Sequence, residues 1–132
     1  MPDKRLFVGL DLGTSGARAV VIDAARREIA MAKSAMADHG ADIRDPHVWW
    51  AAAQLALRHA LAQVDADQVA AIAVDGTSGT MLGVDADGAA LTTGLMYNDA
   101  CTDHAILDAI AAHAPAISAA HGLTSGAARV LL

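Results

Sequence analysis

Cysteine is almost absent: Cys101 is the only one in 132 residues. A disulfide within the chain and a cysteine-built zinc site are therefore excluded, and a reducing compartment is expected. Lysine is nearly as scarce, with only Lys4 and Lys33, and the net charge is −6. Such a surface does not attract phosphate backbones, which argues against nucleic acid as a partner. Long apolar runs are missing too. The run that follows Lys4 and Arg5 is broken by Asp11 after five residues, too short for the core of a signal peptide. Residues 109–128 lack Asp, Glu, Lys and Arg, but they hold Pro115, two histidines and several small polar residues. No membrane span is expected there, and the class indicated is a soluble cytoplasmic domain. The 55% hydrophobic fraction overstates the core, because about a quarter of the chain is alanine, which buries little area per residue.

What is present reads as one domain-sized series of elements. Residues 6–11 form a buried strand, Gly13-Thr14-Ser15-Gly16 a tight turn with glycines suited to positive φ, and residues 17–23 a second, antiparallel strand. Residues 29–36 continue the meander as a third strand. A polar loop, 38–44, leads to Asp45-Pro46, an N-cap followed by proline at the first helical position. The spacing of Trp49, Ala53, Ala56, Leu57, Ala60, Leu61 and Val64 predicts a helix running to Val64. Residues 69–74 read as a fully buried central strand ending in Asp75-Gly76, parallel to an earlier one because a helix intervenes. Residues 81–84 and 89–92 flank Asp85-Ala86-Asp87-Gly88 as a hairpin. Tyr97-Asn98-Asp99 lies in a loop, residues 103–114 form a helix closed by Pro115, and Ser125 caps a last helix that contains Arg129. The two Asp-Gly-Thr/Ser turns, at Asp11 and at Asp75, are similar turn solutions rather than a repeat.

The chemistry concentrates in Phe7-Val8-Gly9-Leu10-Asp11-Leu12-Gly13-Thr14-Ser15-Gly16-Ala17-Arg18. An apolar strand delivers Asp11 to its end. Backbone N–H groups of the turn can cup phosphate oxygens, the hydroxyls of Thr14 and Ser15 add donors, and Arg18 adds a bidentate cation. A carboxylate beside a phosphate makes sense if a divalent cation, Mg²⁺ through water, lies between them. The competing reading is a hairpin turn with an incidental aspartate, and the pattern alone leaves both open. There is no G-x-x-x-x-G-K-[ST], which excludes a P-loop, and no G-x-G-x-x-G opening a helix, which excludes a dinucleotide fold. None of the six histidines stands in a metal-ligand pattern.

Gly9-Leu10-Asp11-Leu12-Gly13-Thr14-Ser15-Gly16-Ala17-Arg18 resembles the first phosphate motif of the FGGY carbohydrate kinases, within the superfamily of sugar kinases, Hsp70 and actin. Asp45-Pro46-His47-Val48-Trp49-Trp50 resembles the segment before that family's first long helix. Val74-Asp75-Gly76-Thr77-Ser78-Gly79-Thr80 resembles the start of its sugar site, and Leu95-Met96-Tyr97-Asn98-Asp99-Ala100 its sugar-contacting loop. The matches stand in the family's order over nearly the whole chain and look most similar to the D-ribulokinase and xylulokinase-like branch. The resemblance implies an α/β, ribonuclease H-like fold: a mixed sheet with an antiparallel three-strand meander and parallel additions after helices, as a partial domain. It implies ATP and Mg²⁺ as cofactors and a ketopentose such as D-ribulose or D-xylulose as substrate. Asp11 would hold the Mg²⁺; Gly13, Thr14, Ser15 and Arg18 would face the transferring phosphate; Ser78, Gly79, Thr80, Asn98 and Asp99 would line the sugar pocket. Each also has a plainer reading, with Asp75 and Asp99 as turn formers, Ser78 and Thr80 as partners of turn backbone, and Trp49 as a core residue.

The chain departs from the family's pattern in two ways. Cys101 stands where arginine is usual two residues after the loop aspartate, which puts the sugar's identity in question. The family's catalytic base is an aspartate beyond residue 132, and the ATP-binding second half is also absent. The chain therefore reads as the N-terminal part of the first kinase domain, from a larger enzyme or a truncated gene product, since it stops inside a helix. Alone it is expected to be inactive, with no catalytic residue of its own, and to self-associate through surface that the rest of the enzyme would cover. The alternatives are a superfamily ATPase of the chaperone or filament kind and a non-catalytic binding or dimerisation module.

Overall fold

Leu6, Val8 and Leu10 alternate with Phe7, Gly9 and Asp11, and that period of two builds the first strand of a half-buried sheet. The computed structural model describes residues 4–132. It divides into two compact units, one ending at Thr77 and the other Ser78–Leu132. In the first, β1 (Leu6–Leu12), β2 (Gly16–Asp23) and β3 (Glu28–Ala35) form the antiparallel meander, and α1 (Pro46–Leu61) leads to β4 (Val69–Gly76). The order is β3-β2-β1-β4, with β4 parallel to β1. This is the mixed sheet expected from the sequence.

Helix α1 covers one face. Asp45 caps it, its Oδ1 accepting the N–H of His47 at 2.8 Å. Pro46 occupies the first turn, where its missing N–H has no intrahelical partner to lose. Ala52, Ala53, Ala56 and Ala60 bury against Leu6, Val8, Leu10, Ala17, Ala19, Val21 and Ala30. Trp49 packs at the margin of this core, and its indole N–H donates to the Ile43 carbonyl at 2.7 Å. The helix stops at Leu61, short of the expected Val64. Ala62 still bonds to Arg58 four residues back, while Gln63 and Val64 take three-residue bonds to Ala60 and Leu61, the usual tightening of a helix end.

Three expectations need correction. First, β4 is not a buried central strand. It ends the sheet among the described residues, with Ile72 54% and Val74 62% exposed. A continuous apolar run signals layers on both faces, but α1 packs on β1, β2 and β3. Second, Gly13 and Gly16 do not have positive φ; among glycines only Gly79 and Gly88 do. Gly16 is required for space, since a Cβ there would lie 2.6 Å from the Ser34 carbonyl oxygen of the neighbouring strand. The left-handed residue of the meander is Arg26, φ 64°, in the β2–β3 turn held by Asp23, which accepts the N–H groups of Ala25 and Arg27, both at 2.9 Å. Third, the hairpin at Asp85 keeps its turn but not its strands. Asp85 accepts the N–H groups of Asp87 and Ala89, at 3.0 and 2.8 Å, while the pairing shrinks to the isolated bridges Val84↔Ala90 and Met81↔Leu95.

The second unit also holds α2 (His104–His113) and α3 (Gly126–Leu131). Ser125 caps α3 as expected, accepting from Ala128 at 3.1 Å, while Asp103, expected as the first residue of α2, stands one position earlier as its cap and accepts from Ala105 at 2.9 Å. Cys101, Ile110 and Ala128 form its small core. Among the described residues, no helix is long and apolar enough to cross a membrane.

Candidate active site

Asp11 lies near the end of β1 on the sheet face opposite α1, since its neighbours Leu10 and Val8 point into the core. Its register partner on β2 is Arg18, Arg18's partner on β3 is Lys33, and Asp11's partner on β4 is Asp75. Cross-strand partners share a face, so Lys33, Arg18, Asp11 and Asp75 form one row of exposed charges across all four strands. Arg18 and Asp11 were expected here from sequence. Lys33 and Asp75 were not assigned to the site, because nothing in their local sequence reveals the register that aligns them.

A depression of about 280 Å³ beside this row is lined by Asp11, Gly13, Ser15, Arg18 and Lys33, among others. A shallower one of about 370 Å³ runs along the open face over Gly9, Asp11, Arg18, Val20, Ala73 and Asp75. Gly9 keeps that floor low; a Cβ there would meet nothing within 4 Å. The turn is pinned at both ends. The Gly13 N–H donates to the Gly16 carbonyl at 3.0 Å, and the Ser15 carbonyl accepts from Met36 at 2.9 Å. The Gly13 N–H thus closes the hairpin, and the hydroxyls of Thr14 and Ser15, both residues exposed, are the donors on the outer side of the turn.

This arrangement can bind an anion beside a carboxylate. Lys33 and Arg18 supply positive charge, with Arg18 able to grip two oxygens at once. Among the described residues, no three His, Cys, Asp or Glu gather into a metal cage. Exposed carboxylates beside a turn with free hydroxyls still fit Mg²⁺, which keeps several waters and takes further ligands from substrate phosphates. Asp75 also closes the end of β4, where its Oδ1 accepts the N–H of Gly76 at 2.9 Å, and the Thr77 N–H donates to the Leu12 carbonyl at 3.0 Å.

In the second unit the expected sugar residues come together around one backbone contact. The Tyr97 N–H donates to Thr80 Oγ1 at 3.3 Å, joining residues 78–80 to the 97–99 loop. Asp99 Oδ2 accepts the Met96 N–H at 2.8 Å, and the Asp99 N–H donates to the Met96 carbonyl at 3.0 Å. One oxygen of Asp99 therefore shapes its own loop. Ser78 and Asn98 are exposed, while Gly79, Thr80 and Asp99 are half-buried. Cys101 is only 2% exposed and packs with Ile110 and Ala128, a place where a guanidinium would be stripped of water. The residue that sequence reasoning missed is Arg129, 5% exposed. Its Nη1 donates to the Tyr97 carbonyl at 2.7 Å and also to that of Thr124. The available signal was an arginine set among Ala127, Ala128, Val130 and Leu131 in the first turns of a helix.

A β-β-β-α-β unit with a phosphate-type turn after its first strand defines the class as the ribonuclease H-like fold of the actin and hexokinase superfamily. The model of the FGGY family of carbohydrate kinases, N-terminal domain, matches residues 6–123, and the chain belongs to that family. A xylulose kinase from Arthrobacter sp. (strain NRRL B3728) is 34% identical over 95 residues, 71% of this chain and 94% of that relative. A xyloylose kinase from Brucella ovis superposes with a TM-score of 0.67 at 24% identity, over 82% of this chain and 24% of that one. A xylulose kinase from Bifidobacterium adolescentis gives 0.61 at 25% identity, over 87% and 22%. The chain thus spans about a quarter of the length of these solved kinases.

Proposed function

We propose that the protein carrying this chain transfers the γ-phosphoryl group of ATP to a hydroxyl of a ketopentose, D-xylulose before D-ribulose. The observation that carries this reading is the charged row Lys33, Arg18, Asp11 and Asp75 beside the Gly13–Gly16 turn. The choice of sugar is supported by the likeness to xylulose kinases.

Bound Mg²⁺ would neutralise phosphate charge as the leaving group departs. Asp11 would hold it. Arg18 orients the transferring phosphoryl group, Thr14 and Ser15 donate to its oxygens, and Lys33 adds attraction from β3. Thr80 accepts from Tyr97, so its hydroxyl proton remains to donate to a sugar oxygen. Asp99 accepts from sugar hydroxyls, a role that suits a carboxylate against a polyol. Ser78 and Asn98 add exposed polar contacts, and Gly79 lets the turn approach closely. Phosphoryl transfer depends on positioning and charge stabilisation across a closed cleft, so the 132-residue chain is expected to be inactive alone, with the base and the adenine site contributed by further sequence. The open face of the sheet and the exposed β4 favour self-association of the isolated chain.

A coupled ADP-release assay on a panel of ketopentoses and polyols tests this. It compares the 132-residue chain with the product of the full open reading frame. Sugar-dependent ADP release by the long form alone supports the proposal. ATP hydrolysis indifferent to sugar refutes it and favours an ATPase of the chaperone or filament kind. Sugar binding with no turnover in either form favours a non-catalytic module.

A further inference from the structure

Arg129 is a charged side chain placed where charge is expensive. It sits in α3, 5% exposed, beside the small core of Cys101, Ile110 and Ala128. Its Nε is buried and has no partner. A buried donor left unpaired, and more so on a cation, is destabilising, so packing alone does not account for an arginine here. A methionine or leucine would fill the space without that penalty.

The guanidinium lies between the two segments of the candidate sugar site. On one side Nη1 donates to the Tyr97 carbonyl, the residue immediately before Asn98 and Asp99. On the other side Nη2 lies against Gly79, between Ser78 and Thr80. Gly79 has φ +81°, and a Cβ there would overlap Nη2. A glycine is thus needed at 79 for two reasons, left-handed backbone and room for the arginine. The same segments are also joined by the long 3.3 Å bond from the Tyr97 N–H to Thr80 Oγ1 and by the Met81↔Leu95 bridge next to it. The Thr124 carbonyl, just before the Ser125 cap, takes a second bond from Nη1 and fixes the fork to the start of α3.

We propose that Arg129 is a positioning residue of the sugar site: its buried guanidinium ties the Gly79 turn to the Tyr97 carbonyl and sets the spacing between Thr80 and the Asn98–Asp99 pair. The proposal rests on the kinase reading of this site. Arg129 touches no substrate in this role. It acts through Gly79 and Tyr97, so its loss should weaken sugar binding while leaving the phosphate turn at Gly13–Gly16 intact. Lysine keeps the charge and one bond but not the planar fork, and restores the function only in part.

The test uses the full-length product of the locus, as wild type, Arg129→Met, Arg129→Lys and Gly79→Ala. D-Xylulose and ATP are varied separately, and hydrogen exchange is followed peptide by peptide. Arg129→Met is expected to raise KM for D-xylulose about tenfold, the size of one charged hydrogen bond. KM for ATP should stay within about twofold. Exchange should quicken at residues 78–81 and 96–99 but not in α1, and Arg129→Lys should recover part of both effects. An unchanged KM for D-xylulose, a parallel rise in KM for ATP, or exchange that quickens everywhere overturns the proposal. If Arg129→Met does not accumulate as folded protein, Arg129→Lys and Gly79→Ala carry the same comparison. If the wild type phosphorylates no sugar, the kinase reading has failed and the substrate role of Arg129 falls with it. A wild type that turns over sugar alongside an indifferent Arg129→Met refutes the proposal alone.

Discussion

Replacing Gly16 with alanine isolates one feature of the first hairpin, the close approach of β2 to β3. A Cβ at Gly16 would stand 2.6 Å from the Ser34 carbonyl oxygen and 3.3 Å from the Ala35 Cα. Carbon–oxygen approaches between strands run at about 3.3 Å or more, so the ladder must open by roughly 0.7 Å at this point, the difference between those two oxygen distances. Both obstructing groups are backbone and cannot swing aside. Overpacking of this kind costs about 1–3 kcal/mol, and the smaller conformational freedom of alanine in the unfolded chain offsets about 0.4–1 kcal/mol. The expected net loss is about 1–2 kcal/mol, a fall in Tm of about 5–10 °C for a domain of this size. Gly9→Ala is the control. It sits on β1 in the same meander, and its Cβ would meet nothing within 4 Å, so neutrality or a gain of about 0.5 kcal/mol is expected. The two tryptophans, Trp49 and Trp50, both lie on α1, so fluorescence-detected melting reports on the unit that carries both glycines. A Gly16→Ala melt within about 1 °C of wild type, or shifts of the same sign in both variants, would refute the steric argument.

Asp45→Ala removes the α1 cap and should cost about 1 kcal/mol, read in the same melt. In the full-length protein, Asp11→Asn should lower kcat about 100-fold with little change in KM for sugar, as loss of a group acting on the phosphoryl charge; equal effects on every parameter would point to misfolding. Lys33→Met should raise KM for ATP a few-fold and make it less sensitive to salt. The Arg27 backbone N–H, its side chain and its charge, together with the Ala25 N–H, hold the Asp23 carboxyl below the ordinary carboxylate range, against a smaller opposing effect of desolvation. A depressed folded-state value contributes stability that is present above the unfolded value, about 4, and is lost as pH falls through the lower one. Asp23→Asn should therefore melt lower than wild type at neutral pH, with the gap closing in acid; a gap independent of pH would contradict this origin.

Most of the secondary structure was legible because local rules were strong. The Asp45-Pro46 start, the Ser125 cap and the alternation in β2 each depend on residues close in sequence. Partners distant in sequence were much harder to read. Asp75 reaches Asp11 only through the parallel pairing of β4 with β1, and Arg129 reaches Tyr97 across 32 positions. Burial of β4 was misread because an apolar strand announces that it can be covered, not that a described element covers it.

Strand β3 shows why register decides the site. Ile29 and Met31 are its larger apolar residues, and size alone would turn them inward. They are instead 49% and 40% exposed, while Ala30, Ala32 and Ser34 face α1. The pairing passes from Ile22↔Glu28 to Val21↔Ala30, so Ile29 is an extra residue bulged out of the ladder. Without it Ile29 would oppose Val21 beneath α1, in the layer where Ala52, Ala53, Ala56 and Ala60 are buried. A shift of one residue reverses every side chain beyond it. Lys33 would then oppose Ala17 on the core face, and the charged row would lose its end. The bulge next to the Asp23–Arg27 turn thus keeps small residues under α1 and, by the same shift, puts Lys33 beside Arg18 on the face that carries Asp11.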